Sequence, residues 1–250
     1  MKLDNMIYTD GRKTIYRDGD LKIKVFSENY SKADVFNEAL NHARIEETGI
    51  RVPKLHEVAN VDGKWALVMD FIDGKTLAEL MAEDPAKTEA YLERLVDTQV
   101  EIQSHSCRLL TRHKDKMRRK ISETNFDATQ RYDLNIRLDG MPSHREVLHG
   151  DFNPSNVIIS DKDGEAYIID WAHVTQGDGA ADAARTYLLF WLSGDIQNAE
   201  KYLEVFCRKS DTARQHVQKW LPIVAASQTV KGKPEEREFL LNWVNVVDYM

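Results

Sequence analysis

The stretch from Val147 to Trp171 constrains this chain more than any other feature. It reads Val-Leu-His-Gly-Asp-Phe-Asn-Pro-Ser-Asn, then Val-Ile-Ile, a polar turn, and Ala-Tyr-Ile-Ile-Asp-Trp. Residues 157–159 and 166–169 are short apolar runs, and Asp161 to Gly164 between them is rich in turn formers, a pattern that predicts a tight antiparallel hairpin. Asn156 directly precedes the first strand and Asp170 directly follows the second, so an amide oxygen and a carboxylate stand at one end of that hairpin. Such a pair suits Mg2+, a hard cation that takes oxygen ligands and keeps waters and phosphates around it. Asp151 lies five residues ahead of Asn156, in the loop leading to the same end. A carboxylate there can accept or orient the proton of an attacking hydroxyl without being a metal ligand. Pro154 stiffens the loop through its fixed φ.

The chain around this segment divides by pattern. Lys13 to Tyr16 and Leu21 to Phe26 flank Arg17-Asp18-Gly19-Asp20 and predict one hairpin; 58–61 and 65–71 flank Asp62-Gly63 and predict a second. Between them Ser31 can cap a helix carrying Val35, Phe36, Ala39, Leu40 and Ala43 at helical spacing, with Gly49 as a stop. From Leu77 onward helix dominates. Apolar spacing predicts one long helix over 88–110, and tryptophan-bearing helices near 188–191 and 239–247. The run Arg112 to Lys120, with six Lys or Arg and one Asp, reads as a solvated helix face. The fold class is therefore α+β: an N-terminal antiparallel sheet with one helix over 1–70, a connecting segment 71–76, and a mostly helical part over 77–250.

Composition removes several function classes. The chain has 250 residues and a formal net charge of −7, which argues against a general nucleic-acid binder. Its longest apolar run, 187–192, is far too short to cross a membrane, so no membrane partner is expected. Asp4 and Asp10 near the start, with no apolar core segment, do not make a secretory signal. Cys107 and Cys207 alone suggest neither a disulfide framework nor a thiolate zinc site, and a cytoplasmic location is the expectation. The histidines show no H-x-x-x-H spacing that would mark a zinc site. Oligomeric state is not legible.

His149-Gly150-Asp151, Asn156 and Ile169-Asp170-Trp171 together resemble the signature of the aminoglycoside phosphotransferase and choline kinase family, small-molecule kinases related in fold to protein kinases. The resemblance implies a kinase-like fold and transfer of the γ-phosphoryl group of ATP (or GTP), with Mg2+, to a hydroxyl of a small molecule. It implies Asp151 as base and Asn156 and Asp170 as metal ligands. His149 is read as structural, and Asp182, in the segment 177–185, as a support that bonds backbone donors of the catalytic loop. Lys22 and Lys24 share a strand face, so periodicity does not choose between them. The resemblance points to Lys24 as the phosphate lysine, Lys22 as a surface residue and Glu38 as the partner of Lys24. It also makes the segment around Met69, Asp70 and Ile72 the hinge against which the base docks. Two departures stand out: no G-x-G-x-x-G near Gly11 and Gly19, and no acidic cluster over 110–147 that would mark aminoglycosides specifically as the acceptor. A nucleotide-binding pseudokinase is the alternative, though all five of Lys24, Glu38, Asp151, Asn156 and Asp170 are present. A protein kinase is disfavoured by Gly150, which stands where those enzymes carry Arg, and by the lack of an A-P-E-type segment.

Overall fold

A computed structural model describes residues 2–244. The chain forms two compact units, Met1–Pro85 with Pro154–His173, and Ala86–Asn153 with Val174–Met250. The expected helix over 239–247 extends past the described residues.

The first unit is built on a five-stranded antiparallel sheet. Its strands are β1 (Met6–Thr9), β2 (Lys13–Asp18), β3 (Leu21–Phe26), β4 (Leu55–Val61) and β5 (Lys64–Asp70), in the order β1-β2-β3-β5-β4. Asp62 and Gly63 both take positive φ, 51° and 83°, the two-residue turn whose twist matches a hairpin. Helix α1 (Lys32–Glu46) starts at Ser31, whose hydroxyl accepts from the Asp34 amide. Its Val35 and Ala39 meet Phe26, Leu67 and Met69 on one sheet face. On the other face Ile23, Val25, Ala66 and Val68 form a separate cluster. Strand alternation thus puts Lys22, Lys24 and Phe26 together on the α1 side. Phe36 and Leu40 stay largely exposed, with Phe36 edge-on to Trp65 at 5.2 Å, because the buried stripe of α1 includes Val35, Glu38, Ala39, His42 and Ile45.

The hairpin of the chemical segment also belongs to this unit. Strands β8 (Val157–Ser160) and β9 (Ala166–Ile168) pair in register Val157↔Ile168, and a short strand β6 (Gly74–Thr76) adds to the free edge of β8. Helix α2 (Leu77–Glu83) follows β6 behind a reciprocal cap between Thr76 and Glu79.

The second unit is mostly helical, with α3 (Thr88–Gln103), α4 (His113–Ser122), α5 (Ala128–Gly140), α6 (Gly179–Leu192), α7 (Ile196–Ser210), α8 (Arg214–Thr229) and α9 (Pro234–Val244). Helix α3 stops at Gln103 and not near residue 110. The chain after it is drawn into strand pairing: Ser106 bridges Glu146, and the Val147 amide bonds the His105 carbonyl. Those bonds belong to β7 (Glu146–Leu148), which pairs with β10 (Thr175–Gly177) as Leu148↔Thr175 and Glu146↔Gly177. Among the described residues no helix is long and apolar enough to cross a membrane.

Candidate active site

Five of the residues singled out in the sequence line one cavity of about 330 Å3 in the first unit: Lys24, Glu38, Met69, Asn156 and Asp170. Lys24 Nζ donates to Glu38 Oε1 at 2.5 Å and to Asp170 Oδ1 at 3.2 Å. Both Lys24 and Glu38 are buried. Burial works against the Lys24 charge, but Asp170 and Glu38 outweigh it and hold its pKa above the ordinary lysine value. Asn156 ends a short 3-10 turn, and its carbonyl accepts from the Ile169 amide at 3.0 Å, which closes the hairpin end and brings Asp170 beside it. Asp170 itself has φ +68°, a left-handed conformation that a non-glycine residue holds only when its surroundings enforce it. Burial would raise its pKa, yet Lys24 and then Lys13 hold it well below the usual carboxylate range.

Two lysines of this cavity were not assigned a role from sequence. Lys13, the first residue of β2 after the turn at Gly11, reaches Asp170 Oδ2 at 3.0 Å. The Asp10 carboxylate fixes that turn by accepting from the amides of Arg12 and Lys13. Lys22 is not a surface residue: it is half-buried and lines the cavity beside Lys24. Burial, reinforced by repulsion from Lys24, pushes its pKa down to about 8. No local pattern separates an inward lysine from an outward one on a short strand; the clue was the shared face with Lys24.

Asp70 and Ile72 lie outside this cavity lining. The Asp70 carboxylate pairs with His56 at 2.6 Å, and its amide bonds the Lys54 carbonyl. The next amide, Phe71, bonds the Asp20 carbonyl. Ile72 is half-buried between Phe71, which the Arg17 guanidinium covers at 4.0 Å, and Asp73, which Arg17 grips through both carboxylate oxygens.

In the second unit β7 delivers His149, Gly150 and Asp151. Gly150 has φ +81°, open to glycine and costly for the arginine that protein kinases place there. Asp182, in the first turn of α6, accepts from the Gly150 amide at 2.7 Å and the His149 amide at 3.2 Å. Burial raises its pKa against the pull of these donors and of His149. His149 is fully buried and its Nδ1 accepts from the Asp151 amide at 3.3 Å. The Asp151 carboxylate receives Arg185 Nη2 at 3.2 Å, and Arg185 is tied in turn to Gln228 at 2.6 Å. Arg185 belongs to the segment singled out in the sequence, but its link to Asp151 spans 34 positions and gave no local sign.

Buried lysine–glutamate pairing, an Asn–Asp pair at a hairpin end and a tightly hydrogen-bonded His-Gly-Asp loop define the kinase-like class of phosphotransferases. The profile of the phosphotransferase enzyme family matches residues 10–219, and the chain belongs to that family. It is thus a phosphotransferase. Solved structures share the fold at low identity. An apo thermostable mutant of aminoglycoside phosphotransferase APH(4)-Ia is 13% identical, with TM-score 0.68 over 95% of this chain and 91% of that one. Choline kinase LicA from Streptococcus pneumoniae is 16% identical, with TM-score 0.63 over 96% and 92%. A choline/ethanolamine kinase family protein from Mesorhizobium loti is 17% identical, with TM-score 0.63 over 97% and 82%. No curated protein sequence matches the chain.

Proposed function

We propose that this enzyme is a small-molecule kinase that moves the γ-phosphoryl group of ATP (or GTP) to a hydroxyl of an aminoglycoside, an amino alcohol or a sugar. The observation that carries the reading is the cavity where Lys13, Lys22 and Lys24 converge with Asn156 and Asp170. Three ammonium groups suit a triphosphate, and an amide and a carboxylate oxygen suit a hard cation. In support, APH(4)-Ia, whose fold this chain shares, has been solved with ADP or AMP-PNP together with hygromycin B.

In this reading residues 1–70 form the nucleotide lobe, 71–76 the hinge and 77–250 the acceptor lobe. Lys24 holds the α- and β-phosphates and Glu38 aims Lys24. Met69 borders the base, which backbone groups of the segment from Asp70 to Ile72 read. Because the Asp70 and Phe71 amides are already engaged, that reading falls to the remaining backbone groups. Asn156 and Asp170 would hold Mg2+, which when bound supplies charge neutralisation of the phosphate oxygens. Lys13, which donates to Asp170 Oδ2, would add a further ammonium beside the phosphates. Asp151 orients the acceptor hydroxyl and takes its proton, with Arg185 fixing the carboxylate. His149 and Asp182 hold the loop. Positioning and charge stabilisation supply most of the rate gain in such transfers.

The test is magnesium-dependent nucleotide consumption with a panel of hydroxyl compounds, followed by product mass. A product heavier by one phosphoryl group is expected; nucleotide binding without consumption for any acceptor would instead make the chain a pseudokinase. The cavity also sets a pH dependence. Lys22 is an ammonium below about pH 8 and neutral above it. Lys24, whose pKa is raised, keeps its charge throughout that range. Affinity for a non-hydrolysable nucleotide should therefore weaken above pH 8, by up to about tenfold per pH unit. Lys22→Met should flatten that slope in calorimetric titrations; an unchanged slope would remove Lys22 from phosphate binding.

A further inference from the structure

The basic run that begins at Arg112 does more than solvate a helix. Its first residues form one wall of a cavity of about 440 Å3 in the second unit, at the end of the β7–β10 ladder away from His149 and Asp151. Arg108, Arg112 and Arg145, from three separate segments, line this cavity with exposed side chains. None of their guanidinium groups has a carboxylate or hydrogen-bond partner among the described residues. In a chain of net charge −7, three unspent guanidinium groups around one concavity are an uneven investment.

Two further features face the same space. Helix α4 begins there, and its capping position, Arg112, gives no side-chain cap to the first amides. Those amides carry the partial positive charge of a helix start, which favours anions. His113 is buried, with 6% of its surface exposed. His113 is among the residues that line the cavity, its Nδ1 meets the Thr175 hydroxyl at 3.0 Å, and its Nε2 is buried without a partner.

A cation is the less suitable occupant. His144, Glu146 and Asp178 come within 4.8 Å of one another at the cavity edge, a grouping their sequence spacing did not suggest. Most of their oxygens are already engaged: Asp178 accepts from His216 at 2.7 Å, from Trp220 at 2.9 Å and from the Ala180 amide at 3.1 Å. Glu146 accepts from the Gly179 amide. Lys114 is held by the carbonyls of Asp139 and Met141 and adds positive charge to the wall.

We propose that this cavity is a binding site for a small phosphate-bearing anion, gripped by Arg108, Arg112 and Arg145 and by the start of α4, with His113 in its wall. Guanidinium forks match phosphate oxygens two at a time, which favours phosphate over a monovalent ion. The volume suits a small molecule. The site is separate from the nucleotide cavity and does not depend on the function proposed for it.

Calorimetric titration of the full chain with pyrophosphate at fixed ionic strength tests the assignment. Binding should weaken at least about tenfold, a loss of roughly 1.4 kcal/mol, in Arg112→Ala/Arg145→Ala. It should persist in Lys13→Met/Lys22→Met, which alters the other cavity, and the side-chain nitrogen resonances of His113 should shift on addition. Arg145→Glu, a surface change, provides a second variant with the same expected loss. Wild-type affinity in both arginine variants would overturn the proposal, as would loss of all binding in the lysine variant. Tighter, equally arginine-dependent binding of a polyglutamate peptide would overturn the small-molecule assignment.

Discussion

Asp151→Asn is expected to lower turnover by roughly 10²–10⁴-fold, the usual contribution of a positioned base, while nucleotide affinity stays within about twofold. The substitution keeps the side-chain shape and removes the carboxylate's charge and its ability to take a proton. Its backbone is held independently of the carboxylate, by the Asp151 amide on His149 Nδ1 and by Asp182 on the two preceding amides. The loop should therefore keep its conformation. The lost ion pair with Arg185 is partly exposed, with side chains 11% and 29% accessible, so stability should change little. Single-turnover kinetics beside nucleotide titration separate the outcomes. A fall in the chemical step with unchanged binding supports the base role, and an active variant with wild-type chemistry refutes it.

How much of this was legible follows from where each signal resides. The hairpin of β8 and β9 is local: β-branched strands around a turn of Asp and Gly leave one arrangement, and the positions of Asn156 and Asp170 follow from it. The Ser31 cap and the Asp62-Gly63 turn were equally local. Strand β6 was not, because three residues, Gly74 to Thr76, carry no period and acquire their state only by pairing with β8. The end of α3 was missed for the same reason, since residues 105 and 106 leave helical geometry to bond β7, some forty positions later. Lys13, Lys22 and Arg185 show the limit for side chains. Charged residues read as solvated until the tertiary fold supplies Asp170, a cavity wall or Asp151. The arginine-lined cavity is the extreme case, assembled from residues 108, 112 and 145 with no common motif.

The largest expected effect on stability comes from Lys24→Met. Lys24 and Glu38 are 5% and 6% exposed, so removing the ammonium strands a carboxylate in a dry setting. Breaking a buried pair from one side typically costs about 3–5 kcal/mol, because the remaining charge keeps its desolvation penalty and loses its partner. Asp170 also loses one of the two ammonium groups that hold its carboxyl low. Lys24→Met should thus unfold at markedly lower denaturant and lose phosphoryl transfer together. The double variant Lys24→Met/Glu38→Leu removes both charges and fills the space with apolar atoms beside Phe26, Val35 and Met69. It should regain most of the stability and none of the activity. Denaturant titration paired with nucleotide consumption reads both quantities. Recovery of activity along with stability would mean that the pair only builds the fold, whereas the expected split assigns it to the chemistry, with its stability cost accepted to keep an ammonium aimed at phosphate.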